Sequence, residues 1–142
     1  MGLFPTFALL VQQTTGERAP RSGLDLVQRI RDGLPAVSVE NFVRIGKLTN
    51  VEVDKIVLPR KTLAHRKEIG KLTAEQSDRL MRVARIVALA EDAFGSEEKA
   101  SRWLRRPTSA LDGEAPLSLL DTEEGAREVE MILTRIEHGI AA

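Results

Sequence analysis

Six cationic side chains fall between residues 55 and 71, namely Lys55, Arg60, Lys61, Arg66, Lys67 and Lys71, against one anion, Glu68. Thr62 and His65 lie among them. Such a set has two uses on a nucleic acid: the ammonium and guanidinium groups neutralise phosphates, and early positions on a helix hydrogen-bond base edges in the major groove. A solvated helix face with no ligand is the competing reading of the same charge run. Nothing comparable speaks for catalysis. The chain has no cysteine, which removes thiolate nucleophiles, disulfides and Cys-based metal sites, and its two histidines, His65 and His138, leave little for a His-built centre. No Gly-rich phosphate loop, HExxH pattern or nucleophile elbow occurs. Glu137 and His138 come nearest to an acid–base pair, but consecutive helical residues point about 100° apart. The expectation is a chain that is not an enzyme, with no catalytic residue, no metal and no cofactor.

The cations need an element to present them. Thr49 and Glu52 stand three residues apart as a capping box that opens a helix over 49–57, carrying Val53, Ile56 and Val57. Leu58–Pro59 makes a tight turn, and a second helix runs from Arg60 to Glu68, closed by Gly70. Helix, short turn and helix are the punctuation of a helix-turn-helix, whose second helix enters the major groove. On it Leu63 is the expected inward anchor. Arg60, Lys61, Thr62, His65 and Arg66 take the early and outward positions, with Lys55, Lys67 and Lys71 placed for phosphates. One such motif reads a short half-site, so useful specificity implies a dimer on a near-palindromic operator.

Across the 142 residues, 21 basic side chains cancel 21 acidic ones, which alone would count against a nucleic-acid partner. The balance hides an asymmetry. Residues 1–72 hold 12 basic and 7 acidic side chains, and residues 73–142 hold 9 and 14. Halves of opposite sign point to two jobs with different partners. With 42% hydrophobic and 30% charged residues the chain can form a core in water, and its low aromatic content of 4%, with apolar residues at three- and four-residue steps, predicts an all-α fold.

The chain reads as three segments. Residues 1–22 are an arm and linker: the apolar patch from Leu3 to Val11 is interrupted by Pro5, lacks a basic flank, and is too short for a signal peptide or a membrane span. It reads as a peripheral arm that packs on the domain or on a second copy, with the polar run from Gln12 to Ser22 as the linker. A soluble, cytoplasmic protein is expected. Residues 23–72 hold the helix-turn-helix, preceded by a helix lined by Leu24, Val27 and Ile30 and by another that Ser38 opens, with Phe42, Val43 and Ile45. Residues 73–142 form a second helical domain. Thr73 and Gln76 cap its longest helix, which ends at Gly95, buries Leu80, Val83, Val87 and Ala90, and turns Asp78, Arg82 and Arg85 outward. Ser96 caps a short helix with Ala100, Trp103 and Leu104 inward. Thr122 caps the last, with Ala126, Val129, Ile132, Leu133 and Ile136 inward. The acidic half carries no ligand motif beyond a small, apolar tail, HGIAA, so it reads as a protein-interaction domain.

The segments SDRLMRVARI (77–86), AEDAFG (90–95), ASRWL (100–104), APLSLLDTEEG (115–125) and RIEHG (135–139) together resemble the toxin-binding domain of Xre/MbcA/ParS-type antitoxins, and TLAHRK (62–67) resembles that family's Xre-like helix-turn-helix. The match spans about residues 24–142. The resemblance implies the antitoxin of a type II toxin–antitoxin pair whose partner is a RES-domain toxin that degrades NAD⁺. It implies a homodimer, able to join a higher-order complex with toxin, that represses its own operon by binding operator DNA. It also implies a C-terminal segment that blocks the toxin's active-site cleft, here Arg135, Glu137, His138, Gly139, Ile140, Ala141 and Ala142. Many relatives carry an aromatic residue where His138 stands. The alternative is a free-standing helix-turn-helix repressor whose acidic half only dimerises.

Overall fold

Local capping chemistry sets most of the helix starts. Thr49 and Glu52 exchange hydrogen bonds with each other's backbone amides, as do Thr73 and Gln76, while the Ser22, Ser96 and Thr122 side chains each accept an amide three residues on. The computed structural model describes residues 3–139, and its regular elements there are helical apart from one antiparallel bridge, Pro35 to Lys71. In chain order the α-helices are α1 (Pro5–Thr15), α2 (Gly23–Asp32), α3 (Val37–Arg44), α4 (Asn50–Ile56), α5 (Arg60–Ile69), α6 (Ala74–Phe94), α7 (Glu97–Arg105) and α8 (Glu123–Glu137). Two short 3₁₀ turns, Ser109–Leu111 and Pro116–Leu119, lie between α7 and α8. The all-α expectation holds.

The chain divides into two compact units between residues 81 and 82, inside α6, and not at the 72/73 boundary read from charge. The charge changes sign where α6 begins, but the first turns of α6 are tied to the first unit. The buried Ser77 Oγ accepts the Leu34 amide at 2.9 Å. In the first unit, the expected arm is a helix, α1, which packs on the domain and runs into the first residues of the expected linker. Phe7, Leu10 and Val11 are buried, the helix packs on α3, and Asn41 Nδ2 donates to the Thr14 carbonyl at 2.7 Å. Pro5 occupies the first turn, where its missing amide costs nothing. The buried hydroxyls of Thr14 and Thr15 donate back to the carbonyls of Leu10 and Val11, so neither is orphaned.

Helix α2 turns a different face inward from the one expected. Leu26 is buried, whereas Leu24 is 81% exposed and Val27 is also exposed. Nor does Ser38 open α3: Ala36 is the N-cap, and Ser38 lies buried one residue inside with its Oγ unpartnered. Backbone bonds hold that helix start instead, with the Ala36 amide donating to the Gly70 carbonyl and the Ser38 amide to the Pro35 carbonyl. Between α2 and α3 the backbone runs so close to residues 70–72 that only glycine fits at position 33. A Cβ there would lie 2.3 Å from the Leu72 carbonyl oxygen, and its φ of +91° is one that side chains avoid.

In the second unit, the later turns of α6 bury Val83, Ala84, Ile86, Val87, Ala88 and Ala90. Arg82 and Arg85, expected to face solvent, reach α8: Arg82 Nε donates to Glu123 at 3.1 Å and Arg85 Nη1 to Glu130 at 2.5 Å. The Trp103 ring of α7 sits 5.5 Å from that of Phe94. The Pro116–Leu119 turn packs on α7 and α8, and a Cβ on Gly125 would fall 1.9 Å from the Leu119 carbonyl oxygen.

Candidate nucleic-acid interface and the C-terminal helix

The α4–turn–α5 unit forms where the sequence placed it. Val53, Ile56, Val57 and Leu58 are buried and anchor α4 and the turn. Pro59 is the N-cap of α5, with no side-chain bond of its own. Helix α5 buries none of its residues, so Leu63 is a half-buried contact and not the full anchor expected. Arg60, Lys61 and His65 are exposed and Thr62 is partly so, while Lys55 stands exposed in the last turn of α4. None of these five is buried, so their cationic and hydrogen-bonding groups lie at the surface of α4 and α5.

Two of the remaining cations, Arg66 and Lys67, have structural partners. Arg66 Nε donates to the Lys71 carbonyl at 2.8 Å, closing the exit of α5, and Lys67 pairs with Glu40 of α3. Lys71 is exposed, and its backbone forms the bridge to Pro35. The sequence pattern did not reveal Asp54, whose Oδ1 accepts the Arg60 amide at 2.8 Å and so caps α5 from the preceding helix. The one signal for it was a proline N-cap, which supplies no acceptor and leaves an orphan amide to be met from elsewhere.

At the other end of the chain, α8 commits Ala126, Val129, Ile132 and Leu133 inward. Arg127, Met131, Thr134, Arg135 and His138 are exposed, and their spacing gathers them on the opposite face. Met131 did not stand out in the sequence, although it is the one exposed large apolar side chain among the described residues of this unit. Arg135 and Glu137 are exposed in the last turn, His138 is the C-cap, and Gly139 takes a left-handed φ of +73°. Ile140, Ala141 and Ala142 lie outside the described residues. No group of three His, Asp or Glu side chains among the described residues converges as a metal site, and no helix there is long and apolar enough to cross a membrane.

Fold and surface thus define a helix-turn-helix protein with a second, separately packed helical domain. Residues 25–85 match the antitoxin Xre-like helix-turn-helix domain, and residues 89–139 match the antitoxin Xre/MbcA/ParS C-terminal toxin-binding domain. An antitoxin Xre of Pseudomonas putida is 40% identical over 119 residues, covering 83% of this chain and 74% of its own. An antitoxin Xre of Photorhabdus laumondii is 35% identical, covering 85% of this chain and 84% of its own. A Prs ADP-ribosylating antitoxin of a Sphingobium strain is 31% identical over 85% of this chain and 83% of its own. The chain belongs to the Xre antitoxin family, and is an antitoxin of a toxin–antitoxin system with a helix-turn-helix domain.

Proposed function

We propose that this antitoxin neutralises a RES-domain, NAD⁺-degrading toxin and represses its own operon as a homodimer on operator DNA in the cytoplasm. The observation that carries the reading is the presence on one chain of an unburied cationic α5 and a C-terminal unit matching a toxin-binding domain. Lys55, Arg60, Lys61, Thr62 and His65 face the operator. Arg66, Lys67 and Lys71 add charge near the phosphates while holding α5 in place. Toxin contact runs along the outer face of α8, through Met131, Arg135, Glu137, His138 and Gly139, into Ile140, Ala141 and Ala142, which enter the active-site cleft. The hydrolytic chemistry belongs to the toxin, so this chain contributes no catalytic residue and binds no cofactor. Met131, a flexible apolar side chain ringed by polar ones, is the natural centre of such a contact.

The reading is tested with the RES-domain protein encoded beside the gene. The intact chain is expected to stop NAD⁺ loss at stoichiometric ratio, and a chain lacking Ile140–Ala142 to leave much of that activity running while keeping its helical spectrum. Equal inhibition by the shortened chain would remove the tail from the mechanism.

A further inference from the structure

Helix α5 buries none of its residues fully and has only Leu63 as a half-buried apolar contact, so apolar packing fixes its orientation weakly and polar ties matter more. Asp54 holds the Arg60 amide, Arg66 holds the Lys71 carbonyl, and Lys67 pairs with Glu40. The first of these governs the N-terminal end, which on the operator-binding reading enters the groove. Asp54 is also exposed and lines the cleft between α4 and α5 together with Val51, Arg60, Lys61 and Ala64. It is the one acid in that lining, beside two cations, and only its Oδ1 is engaged by the Arg60 amide.

We propose that Asp54 is a positioning and selectivity residue of the operator-binding surface, an inference that rests on the reading of α5 as the DNA-contacting helix. Its carboxylate has two effects. It fixes the entry of α5, and so the register in which Arg60, Lys61 and Thr62 meet base edges. It also repels phosphates, and it does so most strongly on a duplex held only through its backbone. In the operator register, where Arg60 and Lys61 meet base edges, the carboxylate stands toward the base edges and not toward a phosphate. Selectivity is a ratio of affinities, and a repulsion that weighs more on non-specific than on operator binding raises it.

The test uses the full chain with Asp54→Asn and Asp54→Ala, titrated by fluorescence anisotropy onto the operator duplex and a random duplex at several salt concentrations. Amide exchange at Arg60 is followed by NMR. Asp54→Asn keeps an oxygen for the Arg60 amide and removes the charge, so the random duplex should bind roughly three- to tenfold more tightly and the operator-to-random ratio should fall by a similar factor. Asp54→Ala should lower the ratio further and speed exchange at Arg60 about tenfold. Random-duplex affinity and ratio both unchanged in Asp54→Asn would overturn the selectivity role, and unchanged Arg60 exchange in Asp54→Ala would overturn the positioning role. Failure of the underlying reading is visible separately: Arg60→Ala with Lys61→Ala would then leave operator affinity intact, while Arg60 exchange would still report on Asp54.

Discussion

Replacing Arg60 and Lys61 together by alanine separates DNA contact from folding on α5. Both side chains are exposed, and the one bond made by Arg60 to the rest of the fold runs from its backbone amide to Asp54, which alanine preserves. The double variant should therefore keep its melting behaviour, within about 0.5 kcal/mol as for ordinary surface changes. If each cation neutralises one phosphate, each contributes a slope of about −0.9 to the log–log salt dependence of operator binding, so the variant's slope should be shallower by about 1.8. At roughly 0.1 M salt that difference corresponds to about 60-fold weaker binding. Arg66→Ala is the internal control, because it deletes the bond from Arg66 Nε to the Lys71 carbonyl and should cost about 1 kcal/mol in stability. Anisotropy titrations over a range of salt, with urea melts of each variant, decide the matter. A slope unchanged in a folded double variant would show that α5 does not touch the phosphates.

Gly33→Ala places a Cβ 2.3 Å from the Leu72 carbonyl oxygen at a backbone φ of +91°, and should destabilise the first unit by about 2–4 kcal/mol in urea melts. A loss below about 1 kcal/mol would mean that the crossing of residues 33 and 72 yields easily. Ser38→Ala removes a buried hydroxyl with no partner, so stability should hold or rise by up to about 1 kcal/mol, and a clear fall would reveal a hydrogen bond to that oxygen. Arg85→Ala loses ion pairs to both Glu123 and Glu130 and should cost about 1 kcal/mol. The reversed pair, Arg85→Glu with Glu130→Arg, should recover part of it, and no recovery would show that the lost packing of the Arg85 stem, not its charge, carries the effect.

What the sequence revealed was short-range. The capping residues Thr49, Thr73, Ser96 and Thr122 lie three residues from the amides they accept, and α8 showed its inner face through one long, regular run of apolar residues. What it concealed depends on distant chain. The apolar stretch around Phe7, Leu10 and Val11 read as a packing arm, but its continuation through the polar Gln12–Thr15 as helix and its partner, α3, did not show in the sequence. In α2 both the Leu24–Val27 line and the Leu26–Ile30 line have helical spacing, and only the tertiary fold chooses the second. Arg82 and Arg85 looked solvent-facing because their acids lie 41 and 45 residues away. On the candidate DNA surface the cations were legible from composition. That Arg66 and Lys67 are tied to other parts of the fold was not, since Glu40 and the Lys71 carbonyl come from neighbouring segments.

The two units distribute the burden of recognition differently. Because none of the ten residues of α5 is fully buried, substitutions at its exposed positions change the chemical face of the helix at little cost to the core. Its orientation is held from outside, by Asp54 on α4, Glu40 on α3 and the residue 70–72 exit clamped to residues 34–36. If α5 reads DNA as proposed, it can alter its preference without refolding, provided those external ties persist. Helix α8 is the reverse: Ala126, Val129, Ile132 and Leu133 are fixed by packing and Gly125 by its contact with Leu119, which leaves the exposed Arg127–Met131–Arg135 face as the part of the helix able to vary without disturbing the core. On the proposed reading, changes that retune DNA recognition should therefore fall on Arg60, Lys61, Thr62 and His65 and spare Arg66 and Lys67, which hold the helix, whereas those on α8 that retune toxin recognition should fall on its exposed positions, three or four residues apart.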